Sequence, residues 1–201
     1  MKFSCEKALL QSMITIASRA VAPKSTIPAL EGVLLEAEQE LNLTGYNLKT
    51  GIRGTISADI AEPGSIVLSA RLFGDIIRRL PDDMVTLSTD DLMVNITCGM
   101  SEFNILGMDP SQFPELPAVE YQNSMILPQR ILHSMITETI FAVSTNDSRP
   151  IHTGELFERN GEGLLTVVAV DGYRLALRRE TTQLNVSETA CQFVIPAPAL
   201  N

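Results

Sequence analysis

A chain of 201 residues with 45 % hydrophobic and 19 % charged side chains has the composition of an ordinary globular protein, which excludes the disordered and fibrous classes. Its formal net charge of −9 repels phosphate backbones when averaged over the surface, so a nucleic-acid partner requires basic residues gathered on one face. No apolar run opens the chain or reaches bilayer-spanning length, and Cys5, Cys98 and Cys191 are scattered without a CxxC; a cytoplasmic, non-membrane protein with no disulfide framework or zinc site is expected, each cysteine in or near a core.

In chain order, residues 2–5 read as an opening strand. Residues 7–20 read as a helix because Leu9, Leu10, Met13, Ile14, Ile16 and Ala17 recur at helical spacing, with Ser4 the expected N-cap. Pro23 and Pro28 make 21–28 a loop, since proline restricts itself and the residue before it. Strands are expected at 32–37, 41–45 and 51–58, where apolar and polar residues partly alternate. Glu62-Pro63-Gly64 marks a turn, 66–68 a strand, and 70–80 a second helix stopped by Pro81. Three more strands, at 84–88, 92–97 and 102–106, complete an antiparallel meander. Residues 108–122 hold Pro110, Pro114 and Pro117 without periodicity, which makes them the best candidate for an interdomain connector. Domains are expected at 1–120 and 125–201, joined through 121–124.

The second stretch repeats the first. Ser12-Met13-Ile14-Thr15 returns as Ser134-Met135-Ile136-Thr137, Pro28 as Pro150 and Gly32 as Gly154, each 122 residues later. A period of that length is the size of a domain rather than of a solenoid unit. The second copy is expected to run as a strand at 125–127, a helix at 128–143 with Pro128 at its start, a loop at 144–150, and strands at 154–158, 164–170, 173–179 and 190–195, with Asn160-Gly161 a hairpin signal. Asp171-Gly172, with Asn47-Leu48 as its earlier copy, is most simply a turn. Val194-Ile195-Pro196-Ala197 matches Val67-Leu68-Ser69-Ala70, so the second copy is expected to lack its second helix and closing strands, as in a truncated product. The fold class is α+β, repeated domains of antiparallel sheet with two helices on one face.

The helical spans carry Lys7, Arg19, Arg71, Arg78, Arg79 and Arg130 against Asp75 and Glu138, so the helices are basic on an acidic protein. Such a stripe suits contact with a phosphate backbone, although solubilising charge gives the same pattern. There is no GxSxG, GxxxxGK[ST], GxGxxG or HExxH, and His133 and His152 are isolated, one on a helix surface and one entering a strand. No catalytic residue, metal or cofactor is indicated.

Met1-Lys2-Phe3, Thr26-Ile27-Pro28-Ala29-Leu30, Leu43-Thr44-Gly45-Tyr46-Asn47-Leu48, Phe113-Pro114 and Val170-Asp171-Gly172-Tyr173-Arg174-Leu175-Ala176 together resemble the bacterial DNA polymerase III beta subunit, the sliding clamp, over the whole chain in order. The resemblance implies a DNA-clamp fold in which three similar domains form a subunit and two subunits close into a ring, helices inward. Its implied function is a non-catalytic processivity factor for DNA replication, tethering the replicative polymerase to double-stranded DNA without reading sequence.

By position, the resemblance assigns DNA contact to Lys24, Asn146 and Arg149, beside the basic helix residues Arg71, Arg78 and Arg79. It assigns a pocket for short peptides of polymerase and clamp loader to Arg149, His152, Val170, Gly172, Tyr173, Arg174 and Leu175, and a homodimer interface to Phe103. Pro150 and Ile151 replace two usual tyrosines, and His152 replaces a usual leucine. The third domain is not represented, which implies that these 201 residues do not close a ring by themselves. The alternative reading is a repeat scaffold that binds partner peptides without encircling DNA, and a hydrolase with an unseen site is the remaining one.

Overall fold

Burial alternates from the first residues, as a half-buried strand requires. In β1 (Lys2–Glu6), Phe3 and Cys5 point into the core and Lys2 and Glu6 face out. The strand passes directly into α1 (Lys7–Ser18), which buries Leu10, Met13, Ile14 and Ala17 along one face. Ser4 is not its cap. Glu6 stands at the N-cap position without a side-chain bond, while the Ser4 hydroxyl stays in the strand 2.8 Å from that of Thr86. A short 3-10 turn at Pro28–Glu31 leads into the strands. The computed structural model describes residues 1–118, 126–146, 148–160, 163–181 and 190–200. The chain divides into two units, Met1–Pro117 and Ala118–Asn201.

The first unit continues with β2 (Gly32–Ala37), β3 (Leu41–Tyr46), β4 (Gly51–Ile56), β5 (Asp59–Glu62) and β6 (Gly64–Ser69), then α2 (Ala70–Arg79), β7 (Met84–Asp90), β8 (Met93–Cys98) and β9 (Ser101–Leu106). Two antiparallel sheets result, in the orders β5-β1-β7-β8-β9 and β4-β3-β2-β6. The strand expected at 51–58 ends at Ile56, and an unexpected strand, β5, follows it in the other sheet, β4 pairing with β3 and β5 with β1. Both helices lie against the inner faces, enclosing Phe3, Leu10, Leu35, Leu43, Phe73, Ile77, Leu87 and Ile96. Gly45 lets α1 come this close, because a Cβ there would stand 2.0 Å from the carbonyl oxygen of Ala17.

The proline-rich stretch after β9 is only in part a connector. Met108 bridges to Val67, the Asp109 side chain accepts from the Ser111 amide at 2.8 Å, and a 3-10 turn forms at Pro110–Gln112. Phe113 then packs, buried, with Ala29, Leu30, Tyr46 and Val67. Residues 121–124 lie outside the described residues.

The second unit holds α3 (Gln129–Thr139), 3-10 turns at Ile140–Ala142 and Pro150–Thr153, β10 (Gly154–Arg159), β11 (Leu164–Val170), β12 (Leu175–Thr181), β13 (Cys191–Pro196) and α4 (Ala197–Leu200). Its sheet order, β12-β11-β10-β13, repeats β4-β3-β2-β6 strand for strand. Contrary to expectation a second helix does begin, at Ala197, where the first unit has Ala70. Of the strand expected at 125–127, Met125 lies outside the described residues and Ile126 and Leu127 form none; Gly161 of the hairpin signal also lies outside.

Cys5 and Cys98 are buried, with burial pushing the Cys5 thiol up to about 12 and that of Cys98 upward as well. Cys191 breaks the expectation: it is exposed, on edge strand β13.

Candidate functional site

In the first unit, α2 buries Ala70, Phe73, Ile76 and Ile77 and leaves Arg71, Arg78 and Arg79 exposed on its other side. Arg78 and Arg79 occupy its last turn, where the helix dipole favours cations. Their freedom differs. Arg78 is tied to Asp75 at 2.6 Å, which spends much of its charge locally, whereas Lys24, Arg71 and Arg79 have no ion pair among the described residues. Lys7, counted with the basic helices, is held by Asp82 at 2.8 Å. A groove of about 680 Å³ runs between α1 and α2, its polar lining made by Gln11, Thr15, Ser18, Ser69, Arg71 and Arg78 together with the carboxylates of Glu31 and Asp75. Its hydroxyls, amide and guanidinium groups are chemistry that holds phosphate oxygens without reading bases, while Asp75 is neutralised by Arg78 and Glu31 opposes an anion.

In the second unit, Asn146 and Arg149 are exposed in the loop after α3. The Asn146 amide donates to the Ser144 hydroxyl at 3.0 Å, and its side-chain oxygen accepts from the Ser148 amide at 2.9 Å. This leaves the Asn146 carboxamide NH2 to donate outward. The loop is fastened to His152, whose amide donates to the Arg149 carbonyl and whose carbonyl accepts from the Ser144 amide, both at 2.9 Å. His152 itself lies in a 3-10 turn and not in a strand, and His133 is exposed on α3.

Asp171 builds the turn between β11 and β12. One carboxyl oxygen accepts from the Tyr173 and Arg174 amides at 2.9 and 3.0 Å, the other from Arg174 Nε at 2.8 Å, and these bonds hold its carboxyl below the usual range. Gly172 supplies the required φ of +93°, as Leu48 at +69° does in the first unit, where Asn47 makes the matching bonds to Lys49 and Thr50. The turn thrusts Tyr173 fully into solvent and leaves Leu175 64 % exposed, with Val170 paired to Leu175 at its base.

Sequence reasoning missed Phe141. The helix pattern assigns it to a span ending at 143, but α3 stops at Thr139 and the following 3-10 turn leaves Phe141 59 % exposed, its ring 5.9 Å below the Arg174 guanidinium. Leu177, two residues along β12 from Leu175 and so on the same face, is also exposed. Phe103 sits partly exposed on β9, the edge strand of the first unit's larger sheet, opposite Ile96.

Among the described residues no cluster of His, Cys, Asp and Glu could hold a metal ion, and no helix is long and apolar enough to cross a membrane. The family described as DNA polymerase III beta subunit, N-terminal domain, matches residues 1–117, and its central domain matches residues 126–201. The beta sliding clamp of Halalkalibacterium halodurans is 35 % identical and that of Staphylococcus aureus 37 %, each across the whole of this chain. A crystal structure of a DNA polymerase III beta subunit from Eubacterium rectale, 36 % identical, superposes with a TM-score of 0.93 over the whole chain. The chain spans 55–56 % of the length of these relatives. On its N-terminal and central domains alike, the chain belongs to the DNA polymerase III beta subunit family.

Proposed function

We propose that the chain is the DNA-facing and part of the partner-binding portion of a sliding clamp, a processivity factor without catalytic activity that tethers the replicative polymerase to duplex DNA in a ring of two subunits. The observation that carries the reading is a set of exposed cations without an ion pair among the described residues, Lys24, Arg71 and Arg79, of which Arg71 lines the α1–α2 groove, on a protein of net charge −9. An acidic body with a local basic face holds DNA without sequence preference and lets it slide. Arg78 adds less than its exposure suggests because Asp75 is bonded to it. Asn146 and Arg149 are the second unit's own DNA contacts, and Phe103 belongs to the subunit interface.

His152, Val170, Gly172, Tyr173, Arg174 and Leu175, joined by Phe141, form the second-unit side of a peptide pocket. Exposed aliphatic and aromatic side chains around a rigid turn suit the apolar anchors of a short peptide. The same patch favours the second reading, a repeat scaffold that binds peptides and not DNA. Reversing two charges, Arg71→Glu with Arg79→Glu, separates them. The clamp reading expects duplex affinity to fall about tenfold or more at low salt, two phosphate contacts being converted to repulsions. Unchanged affinity, or none in the unsubstituted chain, leaves the scaffold.

A further inference from the structure

The repeat carries the polar lining of the α1–α2 groove into the second unit with one telling change. Gln11 and Thr15 line that groove, and the Thr15 hydroxyl donates back to the Gln11 carbonyl at 2.8 Å. At the same places in α3, 122 residues later, stand His133 and Thr137, both exposed, and the Thr137 hydroxyl donates to the His133 carbonyl at 2.8 Å. The buried sides correspond as well, Met13 with Met135 and Ala17 with Thr139, so α3 presents to solvent the side that α1 does. An imidazole has replaced a neutral amide on the polar face.

The fixed charge of the two faces differs. Arg71 and Arg78 line the groove of the first unit, whereas Pro198 stands where Arg71 does once Ala197 is set on Ala70. Arg130, three residues before His133 on α3, is exposed and has no ion pair among the described residues. The carboxylates around α3 are engaged elsewhere. Glu138 accepts from the Ser134 hydroxyl at 2.6 Å and pairs with Arg178 of β12 at 3.1 Å, Arg178 also holds Glu180, and Glu155 of β10 is buried on the Thr139 hydroxyl. Arg159 of β10 is buried too, and β11 brings no ionisable side chain. The His133 side chain is bonded to none of these groups.

We propose that His133 is a phosphate contact of the second unit that strengthens as pH falls, an assignment that rests on the DNA-binding reading above. An imidazole takes up its proton between about pH 8 and 5, after which the ring is cationic and both nitrogens donate. Protonated, it joins Arg130 as a pair of cations on one helix face; neutral, it leaves Arg130 alone. A phosphate oxygen shared by the two relieves their mutual repulsion, so DNA and the proton favour each other's binding. The first unit meets DNA through arginine and lysine, whose charge does not change over this range.

The test measures the affinity of the 201-residue protein for a short duplex at pH 6 and pH 8, in the parent, His133→Gln and His133→Lys. The parent is expected to bind about threefold or more tighter at pH 6 in low salt, with a log–log salt slope steeper by about one, the share of a single phosphate contact. His133→Gln should bind alike at both pH values, and His133→Lys, charged at both, should bind at pH 8 as tightly as the parent does at pH 6. Three results overturn the proposal and leave the DNA-binding reading standing: equal affinity of the parent at the two pH values, a pH difference that survives in His133→Gln and so belongs to His152, or a His133→Lys variant no tighter than the parent at pH 8. Absence of duplex binding by the parent at both pH values overturns that reading and this proposal together.

Discussion

Glu155 occupies the place of Val33 in the first unit and is as fully buried as that valine. One carboxyl oxygen accepts from the Thr139 hydroxyl at 2.7 Å and the other has no partner. Burial raises its carboxyl above the ordinary 4.5, and the Thr139 bond offsets this only in part. Because the folded value is raised, its favourable contribution is present below pH 4.5 and is lost as pH climbs through the folded value. Glu155→Gln should therefore stabilise the second unit by about 1–3 kcal/mol at pH 8 and by less at pH 5. Thermal melts at the two pH values check this, and parallel curves for parent and variant would remove the buried charge from the account.

Asp171 shifts the other way. Its lowered carboxyl stabilises the turn above the ordinary 3.8, an effect lost as pH falls through the folded value. Asp171→Ala should speed hydrogen exchange at the Tyr173 and Arg174 amides, whose acceptor it removes; unaltered exchange would mean that the turn holds without it. At this scale the sequence reveals which groups are titratable but not their partners. The Arg78–Asp75 pair is visible in helical spacing, whereas Glu155 beneath Thr139 requires the sheet to be built first.

At the scale of elements, α1 reaches β3 and β4 through two glycines with different neighbours. A Cβ on Gly45 meets the backbone oxygen of Ala17, while one on Gly54 meets the end of the Met13 side chain. Gly45→Ala should cost about 1–3 kcal/mol and Gly54→Ala under ~1 kcal/mol, since a thioether can swing aside and a helix carbonyl cannot. Equal losses in denaturant titrations would contradict this packing. Both helices of the first unit and most strands are legible because hydrophobic periodicity reports burial on one face. What fails is the element defined by its partner: Asp59–Glu62 has no apolar alternation and becomes a strand only by pairing with β1, and Phe113 reads as part of a loop until Tyr46 and Leu30 are in place to receive it.

For the whole molecule, the repeat visible in sequence is a repeat of topology with uneven spacing. The equivalent helix and first strand fall 122 residues apart, yet Tyr46 and Val170, which end matching strands, are 124 apart, and Ala70 and Ala197, which open matching helices, 127. One extra residue falls between β10 and β11, one within β11, and three between the starts of β12 and β13, so a fixed offset loses the correspondence beyond β10. The candidate site was legible where side chains act from a single element, as Arg71 and Arg79 do on α2. It was not legible at Phe141, whose exposure depends on where α3 ends and on the Arg174 that crosses the turn to meet it.

The central claim is that an acidic protein meets DNA through a local basic face without reading sequence. The measurement that tests it most directly is the affinity of the 201-residue protein for two duplexes of equal length and unrelated sequence, across a range of salt concentrations. Equal affinities falling together as salt rises, with a log–log slope near −3 if Lys24, Arg71 and Arg79 each displace about one counterion, are the predicted result. A preference for one duplex, or an affinity indifferent to salt, would contradict it.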